Sequence, residues 1–340
     1  MKLSTQFPLA TLFFKHWSID DTECGVVIAK ASFNRDANRW VADDNPVLEL
    51  EDTFAGDPGC TPLVQEQDIA PGKVGTDLIV HAVARSPDAA LLGDWPVSLT
   101  IEDRLHYDFQ VRGPSRWSKG PRGKWTRTPP ELVAEIPITY DLAYGGTTTG
   151  PDGKEQTYQN NPSGCGHVTP HHLSEQTEFN APQIGLLAEF MSPDPLAEMS
   201  VHGFGPIAKS WLPRRGHAGT FDQTWKTTRH PRMPKDYALT FWNAAPAPLQ
   251  CDPPLSGNEI VSVGGVSHSG PVRLKLPSVA CALHLGPDGA HPQKMVLDTV
   301  TLDLRSADPS DYRVDLIWRL WLATPDRFQS AEIAGYALED

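Results

Sequence analysis

At 340 residues the chain can bury a full core, as one large domain or two smaller ones, and with 39% hydrophobic residues including 10 Trp, 12 Phe and 7 Tyr it is not a disordered polymer. A formal net charge of −13 argues against a nucleic-acid binder, whose Lys and Arg must neutralise many phosphates, and suits a basic partner better. Five widely spaced cysteines without a C-x-x-C pair favour a reducing compartment, and no apolar run approaches a membrane span, so a soluble, cytoplasmic protein without a membrane partner is expected.

In chain order, QFPLATLFFKHW (6–17) reads as the first strand or its approach, since Pro8 and Thr11 interrupt the apolar stretch and no cleavage site follows. CGVVIAKASF (24–33) is apolar on both faces and predicts a central strand; TDLIVHAVA (76–84) resembles it less strongly. VSLTIE (97–102) alternates Val97, Leu99 and Ile101 with Ser98, Thr100 and Glu102, the mark of a half-buried strand. RGPSRWSKGPRGKW (112–125) is the only basic run; its two Trp could stack on a partner, but its Gly and Pro favour an exposed hairpin loop. GPDG at 150–153 and again at 286–289 predicts two turns.

VRLKL (272–276) and VACALHL (279–285) flank Pro277 and Ser278 as a hairpin or chain reversal, and MVLDTVTLDL (295–304) with YRVDLIWRLWL (312–322) should form an antiparallel hairpin around RSADPSD. TPDRFQSAEIAGY (324–336) is the best helix candidate, with Thr324 as cap, Pro325 in the first turn and Asp326 on the dipole. With 32 Pro and 27 Gly breaking helices, the expected fold is all-β, mainly antiparallel, sandwich-like, with long ordered loops and few short helices. Two β-rich lobes, 1–140 and 260–340, would flank a loop-rich middle, 141–260.

The densest chemistry lies in HGFGPIAKSWLPRRGHAGTFDQTW (202–225). Gly203, Gly205 and Ala208 match G-x-G-x-x-A, with Asp222 about 20 residues beyond Gly203, but Pro206, Pro213 and Gly216 leave no room for the helix that must face a pyrophosphate. His202, His217, Asp222 and His230, with His171 and His172, offer metal or acid–base groups without any short ligand spacing. Ser267 and Ser269 beside His268 lack the nucleophile elbow, and Cys165 beside His167 sits between glycines as in an ordered turn. The acidic pairs Asp20–Asp21 and Asp43–Asp44 read as solvated loop acids. No cofactor is expected.

Taken together, YDLAYGG (140–146), NPSGCG (161–166), 202–225, PRMPKDY (231–237), FWNAAP (241–246) and LSGNEIVSV (255–263) resemble, in order, the motifs of the domain-of-unknown-function 2169 family, with Tyr144 where Phe is common. The strands on either side extend the likeness over nearly the whole chain, as a single family unit. The resemblance implies a type VI secretion-associated adaptor or chaperone that stabilises a cognate toxic effector and helps load it on the VgrG spike. It assigns no catalytic or metal residue. The motif positions Gly145, Gly146, Asn161, Pro162, Gly164, Gly203, Gly205, Pro206, Trp211, Arg214, Gly219, Thr220, Asp222, Trp225, Pro234, Asp236, Asn243, Pro246, Gly257 and Glu259 are expected to be structural, with Arg214 and Asp222 as internal partners. A hydrolase or metal enzyme using His202, His217, Asp222 and His230 is the alternative, and a glycan- or envelope-binding β-sandwich a second.

Overall fold

Two large sheets pack face to face in the computed structural model, which describes residues 1–285, 292–323 and 329–338. The principal strands are β1 (Lys2–Thr5), β2 (Ala10–Trp17), β3 (Glu23–Asp36), β4 (Thr76–Arg85), β5 (Asp94–Ile101), β6 (Leu105–Arg112), β7 (Ile260–Gly264), β8 (Val272–Lys275), β9 (Val279–Leu285), β10 (Val296–Leu304), β11 (Arg313–Leu322) and β12 (Ser330–Ala337). The larger sheet runs Glu135–Pro137, β4, β10, β11, β3, β2, with Gln250–Cys251 added to β4 and Arg39–Ala42 to β3. The second runs Ile184–Gly185, β6, β5, β7, β8, and a third joins β1, β12, β9 and Gln293–Lys294. Strands from both ends of the chain thus share sheets. The described helices are all short: α1 (Pro170–Glu175), α2 (Leu187–Phe190), α3 (Leu212–Arg215), α4 (Gln223–Thr228) and several 3-10 turns. None is long and apolar enough to cross a membrane. The fold is all-β and mainly antiparallel, as expected.

Alternation places the core. Val97, Leu99 and Ile101 of β5 meet Val27, Ala29 and Ala31 of β3 and Val314, Leu316 and Trp318 of β11 in one apolar cluster between the sheets. β3 is buried on both faces: Val26 and Ile28 point outward, into a second cluster with Ile317, Leu12 and Phe14, under Leu48. The expected β10–β11 hairpin forms, with a bulge near Asp298. The basic run is a hairpin of Arg116–Lys119 on Trp125–Arg127, whose Trp117 and Trp125 rings both pack on Phe179. At Gly150 the first GPDG closes a turn, Gly153 N donating to Gly150 O at 3.0 Å; the second lies outside the described residues.

Two expectations are corrected. Residues 330–337, placed in a helix by cap signals at 324–326, form strand β12, because Ala331 and Ile333 alternate into the core; residues 324–328 lie outside the described residues. VRLKL and VACALHL do not pair as a hairpin: β8 joins β7 in one sheet and β9 joins β12 in another. Pro277 lacks an N–H, and Ser278, at a φ of +58°, instead donates its N–H to Gly257 O, turning the chain between sheets.

Candidate functional site

The motif glycines are where backbones touch. Gly145 and Gly146 have φ of +149° and +97°, and Gly146 N donates to Asn161 O at 2.9 Å. Asn161, fully buried, donates Nδ2 to Tyr140 O (2.8 Å) and Tyr144 O (3.0 Å). A Cβ on Gly164 would stand 2.6 Å from Ala143 O. YDLAYGG and NPSGCG, with half-buried Pro162 in the turn, are therefore one interlocked unit.

HGFG enters the core. The Phe204 ring packs tilted against Phe109 at 4.9 Å, the Phe204 carbonyl accepts from Val80 N, and Gly203 lies against the Tyr140 ring, whose hydroxyl donates to Gly205 O at 3.0 Å. Trp211 meets Tyr140 edge-on at 5.4 Å, Pro206 is buried, and no helix opens on the glycines. Downstream, Asp222 caps α4 by accepting from Trp225 N at 2.7 Å, and Trp225 Nε1 donates to Arg232 O. Asp236 accepts from Thr220 N and Oγ1 across Gly219, whose φ is +79° and which packs on buried Pro234. Pro246 starts a 3-10 turn, accepting from Leu249 N. Glu259 gathers the N–H groups of Ser256, Gly257 and Asn258 at 2.6, 2.9 and 3.1 Å.

Arg214 is not Asp222's partner. Its guanidinium is buried and donates to Phe241 O (2.9 Å), Ile207 O (2.7 Å) and Glu66 Oε1 (2.5 Å). Asp222 is exposed on α4 and spends its carboxylate as a cap, so the nearer buried acid takes the arginine. This pair opens onto a layer of buried charges on the outer face of the larger sheet, which sequence reasoning missed. Lys73 bonds Asp77 at 2.8 Å and Glu66 at 3.4 Å; Lys30 bonds Asp68 at 2.9 Å; Arg319 pairs with Asp298 and donates to Asp68 O; Lys209 joins Asp52 at 2.8 Å. Asn243 Nδ2 and Ala244 N hold Asp77 at 2.9 and 2.7 Å. Residues 48–73 and 207–244 are thereby fastened over the sheet by ions and hydrogen bonds.

Burial by itself would raise the Glu66 pKa, but Lys73, Arg214 and Lys209 together outweigh it and hold the carboxyl below the ordinary range. A lowered folded-state value means the unfolded chain binds more protons, so this contribution is full above the unfolded pKa and is lost as pH falls through the folded one. Glu66→Gln is expected to lose stability at pH 7 and to show a flatter stability profile than wild type below about pH 4.5. Denaturant titrations across pH check this; parallel profiles would show that Glu66 carries no such linkage.

Beside this cover the outer face is left open. A cavity of about 500 Å³ has the end of β2 and the β2–β3 turn (Trp17, Ile19, Asp20) as one wall and Met233 and Tyr237 of the PRMPKDY segment, with Leu239 just after it, as the other; His16, Cys24 and Trp321 line it too. The walls are clasped: Arg229 and Arg232 reach Asp21 at 3.0 and 3.3 Å, and Arg232 lies 5.0 Å over the Trp17 ring. Trp17, Ile19 and Trp321 stay 46%, 45% and 40% exposed. Burial lowers the His16 pKa. This is an apolar groove, in the size range of ligand pockets, rimmed by aromatic rings and one carboxylate.

The other sequence candidates are dispersed. His202 Nδ1 bonds the Tyr107 hydroxyl at 3.0 Å inside the aromatic cluster, His230 packs on Trp225, and His217 is exposed; His171 faces Glu175 along α1, and His172 packs edge-on against Phe179. Among the described residues, no three His, Cys, Asp or Glu side chains are grouped to hold a metal ion. His268 Nδ1 turns to Ser86 O at 2.7 Å, while Ser267 and Ser269 bond each other. Burial pushes the Cys165 thiol up to about 12, a poor nucleophile at neutral pH.

What these elements define is a β-sandwich-like protein whose Gly, Asn and Arg motif residues tie long loops to one another and to a sheet face. The chain belongs to the DUF2169 family, described as uncharacterized proteins conserved in bacteria, whose model matches residues 20–319. No curated protein and no solved structure matches it.

Proposed function

We propose that the chain is a non-enzymatic adaptor that binds a cognate type VI secretion effector in the cytoplasm and helps load it on the VgrG spike. The observation that carries this reading is the open apolar groove, one wall of which is built from a family motif while Trp17, Ile19 and Trp321 remain solvent-facing. The buried motif side chains Asn161 and Arg214 tie loops to one another and to the sheet, and so serve to shape a surface. A net charge of −13 favours a basic toxin. The secretion link itself comes from the motif resemblance.

Co-expression with a toxin encoded beside this chain's gene is expected to raise the toxin's soluble level and to give a joint peak on size exclusion. Failure of every neighbouring toxin and spike protein to co-elute would overturn the reading.

A further inference from the structure

Strand β2 closes one side of the larger sheet: along Ala10–Trp17 it pairs in unbroken antiparallel register with β3, and among the described residues no strand pairs with its other edge. Natural edges are commonly blunted by proline, a bulge or inward charges. Here the eight residues ATLFFKHW contain no proline and no bulge, and Lys15 is turned toward Glu23 of β3 at 3.5 Å. The register also sets which side chains line the outer face. Leu12, Phe14 and His16 stand opposite Ile28, Val26 and Cys24, so the outer-face row of β2 ends at His16, on the lining of the groove. A row of unpaired backbone groups therefore leads into an apolar cavity. At its rim Asp20 bonds Ser18 and Thr22 of its own turn, with no cation paired to it among the described residues.

We propose that this edge and groove together receive an extended segment of the secreted partner, which adds as a strand to β2, seats a bulky apolar side chain between Trp17, Trp321 and Met233, and sets a basic residue against Asp20. The inference rests on the adaptor reading and names the contact by which it works. Strand addition divides the work in the usual way, with main-chain hydrogen bonds supplying affinity and alternate side-chain pockets supplying choice. With Arg229 and Arg232 already committed to Asp21, Asp20 and the acidic chain favour a basic flank on the incoming segment.

The test uses the full chain and, as probe, short overlapping synthetic peptides tiling the effector encoded beside its gene, alongside the intact effector. One or a few apolar peptides with basic flanks are expected to bind, and Trp17→Ala at the end of β2 and Ile19→Asp in the turn, both half-exposed, to weaken them at least about tenfold while melting within a few degrees of wild type. N-methylating every second amide of the bound peptide should abolish binding in one frame and spare it in the other, since only one set of amides faces β2. Equal sensitivity of both frames, or none, overturns strand addition. Intact effector that stays bound to both variants with unchanged affinity overturns this surface but leaves the adaptor reading standing. Wild type that binds neither peptide nor effector overturns both. Sedimentation showing a dimer that Ile19→Asp dissolves would assign the edge to a second copy of the chain instead.

Discussion

Arg214→Met is expected to destabilise the protein by about 3 kcal/mol, because it leaves a buried carboxylate short of a partner and two carbonyls without donors. Met fills much of the arginine's volume, so lost packing contributes little. Glu66 retains Lys73 and Lys209, at 3.4 and 3.5 Å, which keeps the loss below that of an orphaned charge. Ile207 O and Phe241 O have no such reserve among the described residues. Arg214→Lys should recover only part of the loss, since an ammonium cannot spread over three divergent acceptors. In a cycle with Glu66→Gln the two losses should be clearly less than additive. Urea midpoints with unchanged slopes are the measurement. A change under about 1 kcal/mol would mean that the guanidinium behaves as an exposed surface group does.

Gly145→Ala should be more damaging still. The added Cβ would stand 2.1 Å from Asn161 O, a backbone atom fixed by its own hydrogen bond to Gly146, in a residue whose φ of +149° L side chains rarely adopt. A loss beyond about 4 kcal/mol, seen as a large fall in melting temperature or in soluble yield, is expected. Gly153→Ala is the control: φ is +74°, but nothing lies within 4 Å of the new Cβ, so only the backbone cost of about 1–2 kcal/mol should appear. Similar losses at both positions would show that the contact with Asn161 is unimportant.

The sandwich was legible because its strands obey period two: VSLTIE and the MVLDTVTLDL–YRVDLIWRLWL pair lie where alternation and turn residues put them. End signals were less informative. The cap residues at 324–326 suggested a helix, yet the alternation of Ala331 and Ile333 prevailed in the residues that follow. The motif loops were legible as a set but not in their pairing, because which backbone Gly145 meets depends on a chain segment that no local pattern specifies. Arg214 makes the same point: its partner, Glu66, lies in an undistinguished stretch far upstream.

A signal for the buried charges was nevertheless present. Lys30 in GVVIAKASF, Asp77 in TDLIV, Asp298 in MVLDTV and Arg319 in LIWRLWL each interrupt a strand that is otherwise apolar. On a strand buried on both faces, an ionisable residue demands a counter-charge. Reading those four positions as one set would have pointed to a charged layer on the outer face. The groove had no comparable signal, since it arises where the β2–β3 turn and residues 233–239 meet in space.

The sheet order also governs when the molecule can exist during synthesis. β3, buried along most of its length, is made long before its neighbour β11, and β1 long before its partner β12. Until then β3 exposes an apolar strand on both faces, in a topology dominated by distant pairings that form slowly. The larger sheet therefore closes only once β11 has been made, and the nascent chain, whatever it later shields, is expected to need shielding itself until then.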